Sequence, residues 1–187
     1  MLKIKVELES ISPIKFGKHF TTPMKDGEGH EAYDQRCWRE RLHYDENEEV
    51  YIPAIALKNS LSAAAKYKGE KIKGKGNRTY TQKFEAGILI VDNIMLGVKK
   101  NDVNGETLHV PADGVRGGSK RVNRIFPYIN SWKGTTYIHV IDPVLEQDPN
   151  KVKEYLELTG QLIGLMTFRP AKNGMFGRFK VNKFKIC

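Results

Sequence analysis

The sequence predicts an α+β protein, a four-stranded antiparallel sheet with two helices on one of its faces. Three observations carry that prediction. Segments of strand length lie at both ends of the chain and alternate apolar with polar residues. Two stretches carry apolar residues at helical spacing. The elements fall in the order strand, helix, strand, strand, helix, strand, and this order folds as a split βαβ unit.

The first strand is "LKIKVELES", with Leu2, Ile4, Val6 and Leu8 on one face and Lys3, Lys5, Glu7 and Glu9 on the other. A two-residue period marks a half-buried strand. "ISPIKFGKHFTTPMKDGEGHEAYDQ" follows, broken by prolines and glycines, and reads as loop. The acidic "YDENEEVYIP" leads into "AIALKNSLSAAAKYKG", a helix with Ile55, Leu57, Leu61, Ala64 and Ala65 on its apolar side. Gly69 stands where a C-terminal cap belongs. The lysine- and glycine-rich "YKGEKIKGKGNRTYTQK" reads as an exposed, mobile loop.

"GILIVDNIMLGV" is an unbroken apolar run suited to one strand in the middle of a sheet. Turn signals at Asn104-Gly105 and Asp113-Gly114 make the next stretch irregular, up to the alternating strand "TTYIHVID". Asp148 before Pro149 starts the second helix, which should bury Val152, Tyr155, Leu156 and Ile163. The last strand, "GRFKVNKFKI", loses its alternation between Val181 and Phe184, the mark of a bulge or a change of face. Together these make a ferredoxin-like, RRM-like core in one domain over residues 1–187, with long loop insertions at about 11–50 and 98–132. Such a core leaves one sheet face bare of helices, the face on which RNA-recognition domains stack bases.

The formal net charge is +9, from 31 Lys and Arg against 22 Asp and Glu. A basic surface concentrates polyanions around it, which makes nucleic acid the leading partner and an anionic membrane surface a weaker one. Nine of the 22 acids lie between Asp26 and Glu49, and none follows Glu157, so the C-terminal part is more basic than the average. No apolar run reaches the ~20 residues that cross a bilayer, and the N-terminus has no signal-peptide block. The expectation is a cytoplasmic protein without membrane partners. Cys37 and Cys187 are too few for a disulfide framework, and the five histidines have no metal-ligand spacing. No metal, cofactor or nucleotide-loop motif is expected.

In "VYIPAIALKNSLSAAAKYKG", Tyr51, Ile52, Pro53, Leu57, Lys58 and Leu61 match the pattern "YIPGSSLKGALRSA". This stretch resembles the RAMP superfamily, the backbone subunits of CRISPR effector complexes. The ending "RPAKNGMFGRFKV" is similar to their glycine-rich closing segment, and "PIKFG" to the loop after their first strand. The matches cover about half of the chain. Ala54 and Asn59 stand where the family pattern has glycine. The chain is shorter than most such subunits, which fits a stand-alone or phage-encoded relative. The resemblance implies single-stranded RNA gripped along its backbone, copies polymerised side by side, and a loop held as a thumb over the strand, here 98–132. Some relatives cleave RNA with an aspartate after the first strand, and Asp34 lies at about that place.

Lys58 and three groups of cations are candidates for binding single-stranded RNA or DNA. Lys58, near the start of its helix, can meet a phosphate. Lys66, Lys68, Lys71, Lys73, Lys75 and Arg78 form a glycine-interrupted run able to track a phosphate backbone. Arg116, Lys120, Arg121 and Arg124 precede Phe126 and Tyr128, joining cations to rings that can stack bases. The first site to expect is the last one. Here Arg169, Lys172, Arg178 and Lys180 flank Gly174 and Gly177, whose missing side chains allow close approach of a ligand. Around Trp38, by contrast, Arg36, Arg39 and Arg41 have enough acids nearby to pair within the molecule.

The residues point to binding rather than catalysis, with self-assembly along the strand as homo-oligomer or filament. Two alternatives stand beside this. One is an endoribonuclease of RAMP type using Asp34 or a loop histidine, His19 or His30. The other is a phage-type interaction protein docking its basic face on an acidic partner.

Overall fold

The computed structural model describes residues 1–112, 114 and 120–187. In chain order the strands are β1 (Leu2–Ser10), β2 (Ile14–Lys15), β3 (Glu49–Ile52), β4 (Ile88–Leu89), β5 (Ile94–Lys99), β6 (Asn104–Pro111), β7 (Arg121–Ile129), β8 (Lys133–Val140) and β9 (Phe179–Ile186). The α-helices are α1 (His30–Cys37), α2 (Ala54–Lys68), α3 (Thr81–Ala86), α4 (Pro143–Gln147) and α5 (Pro149–Leu158).

The main sheet has the antiparallel order β4-β8-β1-β9, the ferredoxin-like order expected from the sequence. Ile4, Val6 and Leu8 of β1 are fully buried and share a core with Leu57, Leu61 and Ala64 of α2 and Val152, Tyr155 and Leu156 of α5. Gly69 caps α2 in the left-handed conformation. The slip in the last strand is a bulge. Lys183 opposes Glu7 and Val181 opposes Leu8, so Asn182 has no counterpart on β1. No helix among the described residues is long and apolar enough to cross a membrane.

Three expectations need correction. The apolar run 87–98 is two strands, not one. β4 closes the edge of the main sheet, whereas β5 pairs with β3 in a separate ribbon. The corner at residues 91–93 is exposed, and Asn93 turns its Oδ1 to accept from the Ala54 amide at 3.0 Å. Pro53 has no side chain able to cap α2, so a residue from the corner does it.

The described residues of 98–132 are not irregular. They hold the β6–β7 hairpin, which β2 extends into a sheet of order β2-β7-β6. In β7, Ile125, Pro127 and Ile129 are buried and alternate with half-exposed Arg124, Phe126 and Tyr128. That period was legible but lay behind the flanking turn signals. Residues 11–50 likewise contain β2, α1 and β3. α1 is followed by a single 3₁₀ turn, Trp38–Arg41, whose Trp38 and Arg41 are both buried.

Candidate nucleic-acid interface

Between the π-turn that extends α5 (Thr159–Ile163) and the start of β9, the chain folds back on itself. Leu165 N donates to Gly177 O at 2.9 Å, Phe176 N to Phe168 O at 3.1 Å and Gly174 N to Arg169 O at 3.0 Å. Gly177 N reaches Pro13 O at 2.8 Å and Thr167 N reaches Lys15 O at 3.2 Å, tying the segment to the loop after β1. A Cβ on Gly174 would stand 1.8 Å from Phe168 O, and one on Gly177 2.1 Å from Leu165 O. The close approach that the sequence suggested for a ligand is therefore taken by the segment's own backbone.

This fold sets out three cations. Arg169 donates from Nη1 to Ser60 Oγ of α2 at 3.2 Å, and its buried Nε has no partner among the described residues. Arg178 donates to Gln161 O at 2.7 Å. Lys172 is exposed. Among the described residues none of the three is ion-paired, whereas Lys180 lies 3.4 Å from Glu9 and Lys183 3.1 Å from Glu7. Lys180 stands on the sheet face away from the helices, separate from the glycine segment.

The hairpin joins the segment through Phe126, edge-to-face on Phe168 with centroids 5.0 Å apart. Behind them Lys15 is fully buried, paired with Glu106 of β6 and 4.2 Å from the centroid of Phe176. The carboxylate and the ring face stand where solvent would otherwise surround the ammonium. On the hairpin, Arg124 donates to Ala112 O at 2.9 Å, Arg121 donates to His109 O at 3.2 Å, and Lys120 is exposed. Arg116 lies outside the described residues.

The α2 cations are elsewhere. Lys58 stands about 160° round the helix from Ser60, on the opposite flank, since each residue turns ~100°. There it lines a shallow cleft with Ile88, Leu89 and Asn93. Lys66, Lys75 and Arg78 line a wide cleft of about 820 Å³ between α2 and α3, with Gln82 and Glu85. Lys73 is exposed and Lys71 donates to Asn77. The loop 70–80 is closed by Ile72 N to Arg78 O at 2.8 Å, with Ile72 buried beneath it.

Lys68 is ion-paired, in a cluster with Glu70, Glu154 and Lys151. Partial burial raises the Glu70 carboxyl, but hydrogen bonds from Lys151, Lys68 and Tyr155 together outweigh it and hold it at about 2. A depressed acid stabilises the fold above its unfolded pKa of ~4.3 and loses that contribution as pH falls toward the folded value. The unfolding midpoint of Glu70→Gln is thus expected to fall less than that of wild type between pH 4 and 2. Parallel acid limbs in the two proteins would contradict the assignment.

Asp34 is 7% exposed, accepting at 2.6 Å from Arg41 Nη2 on one oxygen and at 2.6 Å from the Ile125 amide on the other. Its carboxylate ties α1 to β7. Around it Arg36 forks onto Glu28 at 2.7 Å, and Arg39 lies 4.1 Å from the centroid of Trp38. The pairing within the molecule that the sequence suggested for Arg41 is met by Asp34, seven positions away. Sequence reasoning missed Lys15 and Ser60 as organising residues, and the buried lysine has no local signature because its partner, Glu106, is ninety-one positions away.

No protein-family profile and no curated protein sequence matches this chain. Among solved structures, it is similar to a chain of the Type III-B Cmr-beta complex, determined by cryo-EM bound to cognate target RNA. The TM-score is 0.56 and the identity 12%, over 99% of this chain and 60% of the other. This chain thus spans about 60% of the length of that one, and its likeness to a CRISPR subunit is a likeness of fold.

Proposed function

We propose that the protein binds single-stranded nucleic acid, RNA in first place, by its backbone and without sequence preference. Arg169, Lys172 and Arg178 take phosphates, the β6–β7 hairpin serves as the thumb, and copies of the single domain assemble along the strand. The observation that carries this reading is the acid-free segment itself. Three cations stand out of ion pairing there, on backbone braced by glycines, and the segment is joined through Phe168 and Phe126 to a hairpin bearing Lys120, Arg121 and Arg124. The sequence motifs and the fold it shares with a chain of an RNA-bound complex support the same reading. The Lys66–Lys75–Arg78 cleft offers a second stretch of phosphate path.

Affinity for a labelled single-stranded oligonucleotide, measured by fluorescence anisotropy, is expected to fall steeply with salt. Each phosphate neutralised contributes about 0.7 to the slope of log K against log salt. Lys172→Gln with Arg178→Gln should lower that slope by about 1.4, equally for unrelated sequences. An unchanged slope, or a complex indifferent to salt, overturns the reading. Mass in solution should also rise in steps of one protomer as the oligonucleotide lengthens.

A further inference from the structure

A second cleft, of about 730 Å³, lies beside the hairpin and is not part of the glycine segment. Residues 17–20 form one wall, the first turns of α1 a second, and residues 120–126 the third. Its volume is in the range of small-molecule sites. Phe20 and Tyr33 stack at 6.0 Å, and Phe126 stands across from them. The guanidinium of Arg41 lies over both Phe20, at 5.1 Å, and Phe126, at 5.5 Å.

Arg41 is the unusual element. It is 7% exposed, its Nη2 is engaged by Asp34, and its buried Nη1 has no partner among the described residues. A buried donor without an acceptor is costly, and an oxygen entering the cleft would remove that cost. Among the described residues no side chain caps the first turn of α1, whose His30 and Glu31 line the same cleft. Lys18, Lys120 and Arg124 add three cations, so that with Arg41 four cationic side chains line the cleft beside the two carboxylates of Glu31 and Asp34. The surplus of two matches a phosphomonoester, which carries about −1.5 to −2 at neutral pH. Aromatic walls suit a base attached to it.

We infer that this cleft binds a nucleotide by its phosphomonoester, the phosphate on Arg41, Lys18 and Lys120 and the base against Phe20, Tyr33 or Phe126. An internal phosphodiester is a poorer occupant. It carries one charge, and its two chain exits do not suit a donor sunk between three walls. The ligand is a free mononucleotide or the phosphorylated end of a strand, and only the second depends on the nucleic-acid reading above.

Isothermal titration of the full chain with adenosine 5′-monophosphate, adenosine and inorganic phosphate tests the cleft. Oligonucleotides with and without a 5′-phosphate separate the two sources. The monophosphate is expected to bind at least ten-fold more tightly than adenosine. Lys18→Gln with Lys120→Gln, both exposed positions, should weaken it ten-fold or more with the circular-dichroism melt unchanged. Monophosphate binding without preference for the phosphorylated strand assigns a free nucleotide, and the reverse pattern assigns a strand end. If adenosine binds as well as its monophosphate, or if neither monophosphate nor terminal phosphate has an effect, the inference is wrong. Strand binding that persists in that case leaves the glycine-segment interface standing.

Discussion

Asp34→Ala is expected to lose about 3–5 kcal/mol of folding stability, because breaking a buried pair from one side leaves an uncompensated charge. The charge is Arg41, which already has one nitrogen unpartnered among the described residues, and the same substitution also strips the acceptor from the Ile125 amide. Urea unfolding followed by circular dichroism measures the loss as a lower midpoint. Asp34→Asn, which can still accept from the amide but not balance the guanidinium, should fall between wild type and alanine. A wild-type midpoint for the alanine variant would show that the pair does not hold the hairpin. The result also bears on the cleavage reading, since a substitution that loosens the hairpin lowers any activity without identifying a catalytic carboxylate.

Gly177→Ala should cost about 2–5 kcal/mol, and nucleic-acid binding should fall with it. Two effects add. The residue has φ +74, where an L side chain costs roughly 1–2 kcal/mol. The new Cβ would also meet Leu165 O at 2.1 Å and Leu165 N at 2.9 Å, and overpacking of this kind typically costs about 1–3 kcal/mol. Relief requires opening the Leu165–Gly177 hydrogen bond, and with it the segment that carries Arg169, Lys172 and Arg178. Gly76→Ala separates the two effects. Gly76 has a similar φ of +62 but nothing within 4 Å of the added carbon, so it should lose only the conformational part. Equal losses at the two positions would rule out the backbone clash as the cause. Should anisotropy show full strand affinity in a destabilised Gly177→Ala protein, the segment is not the interface.

Period and order were enough to read the core. The two-residue alternation of β1 and β9, the helical spacing of α2 and the proline-started α5 each concern neighbours within a few positions. Those interactions are local, so the sequence shows them directly. Even the bulge at Asn182 was visible as a lost beat in the alternation. The elements hidden in the two supposed loops were harder. α1 has only two buried residues in eight, too few for a periodic signal, and its anchor is one carboxylate rather than an apolar stripe. The apolar run 87–98 looked continuous because residue type does not report which sheet a strand joins. The run divides at the corner where Asn93 accepts from the first amide of α2.

By itself, then, the sequence determined the fold class, the surplus of positive charge and its concentration after Glu157. The tertiary structure decided which cations are ion-paired and which are not among the described residues. It withdrew Lys68 into a carboxylate cluster, sent Lys58 and Arg169 to opposite flanks of α2, and filled the space beside Gly174 and Gly177 with backbone. The physical reason is range. Propensity and periodicity act between residues a turn or a strand apart, whereas an ion pair or a cleft is made by residues that only the complete fold brings within a few ångströms of each other.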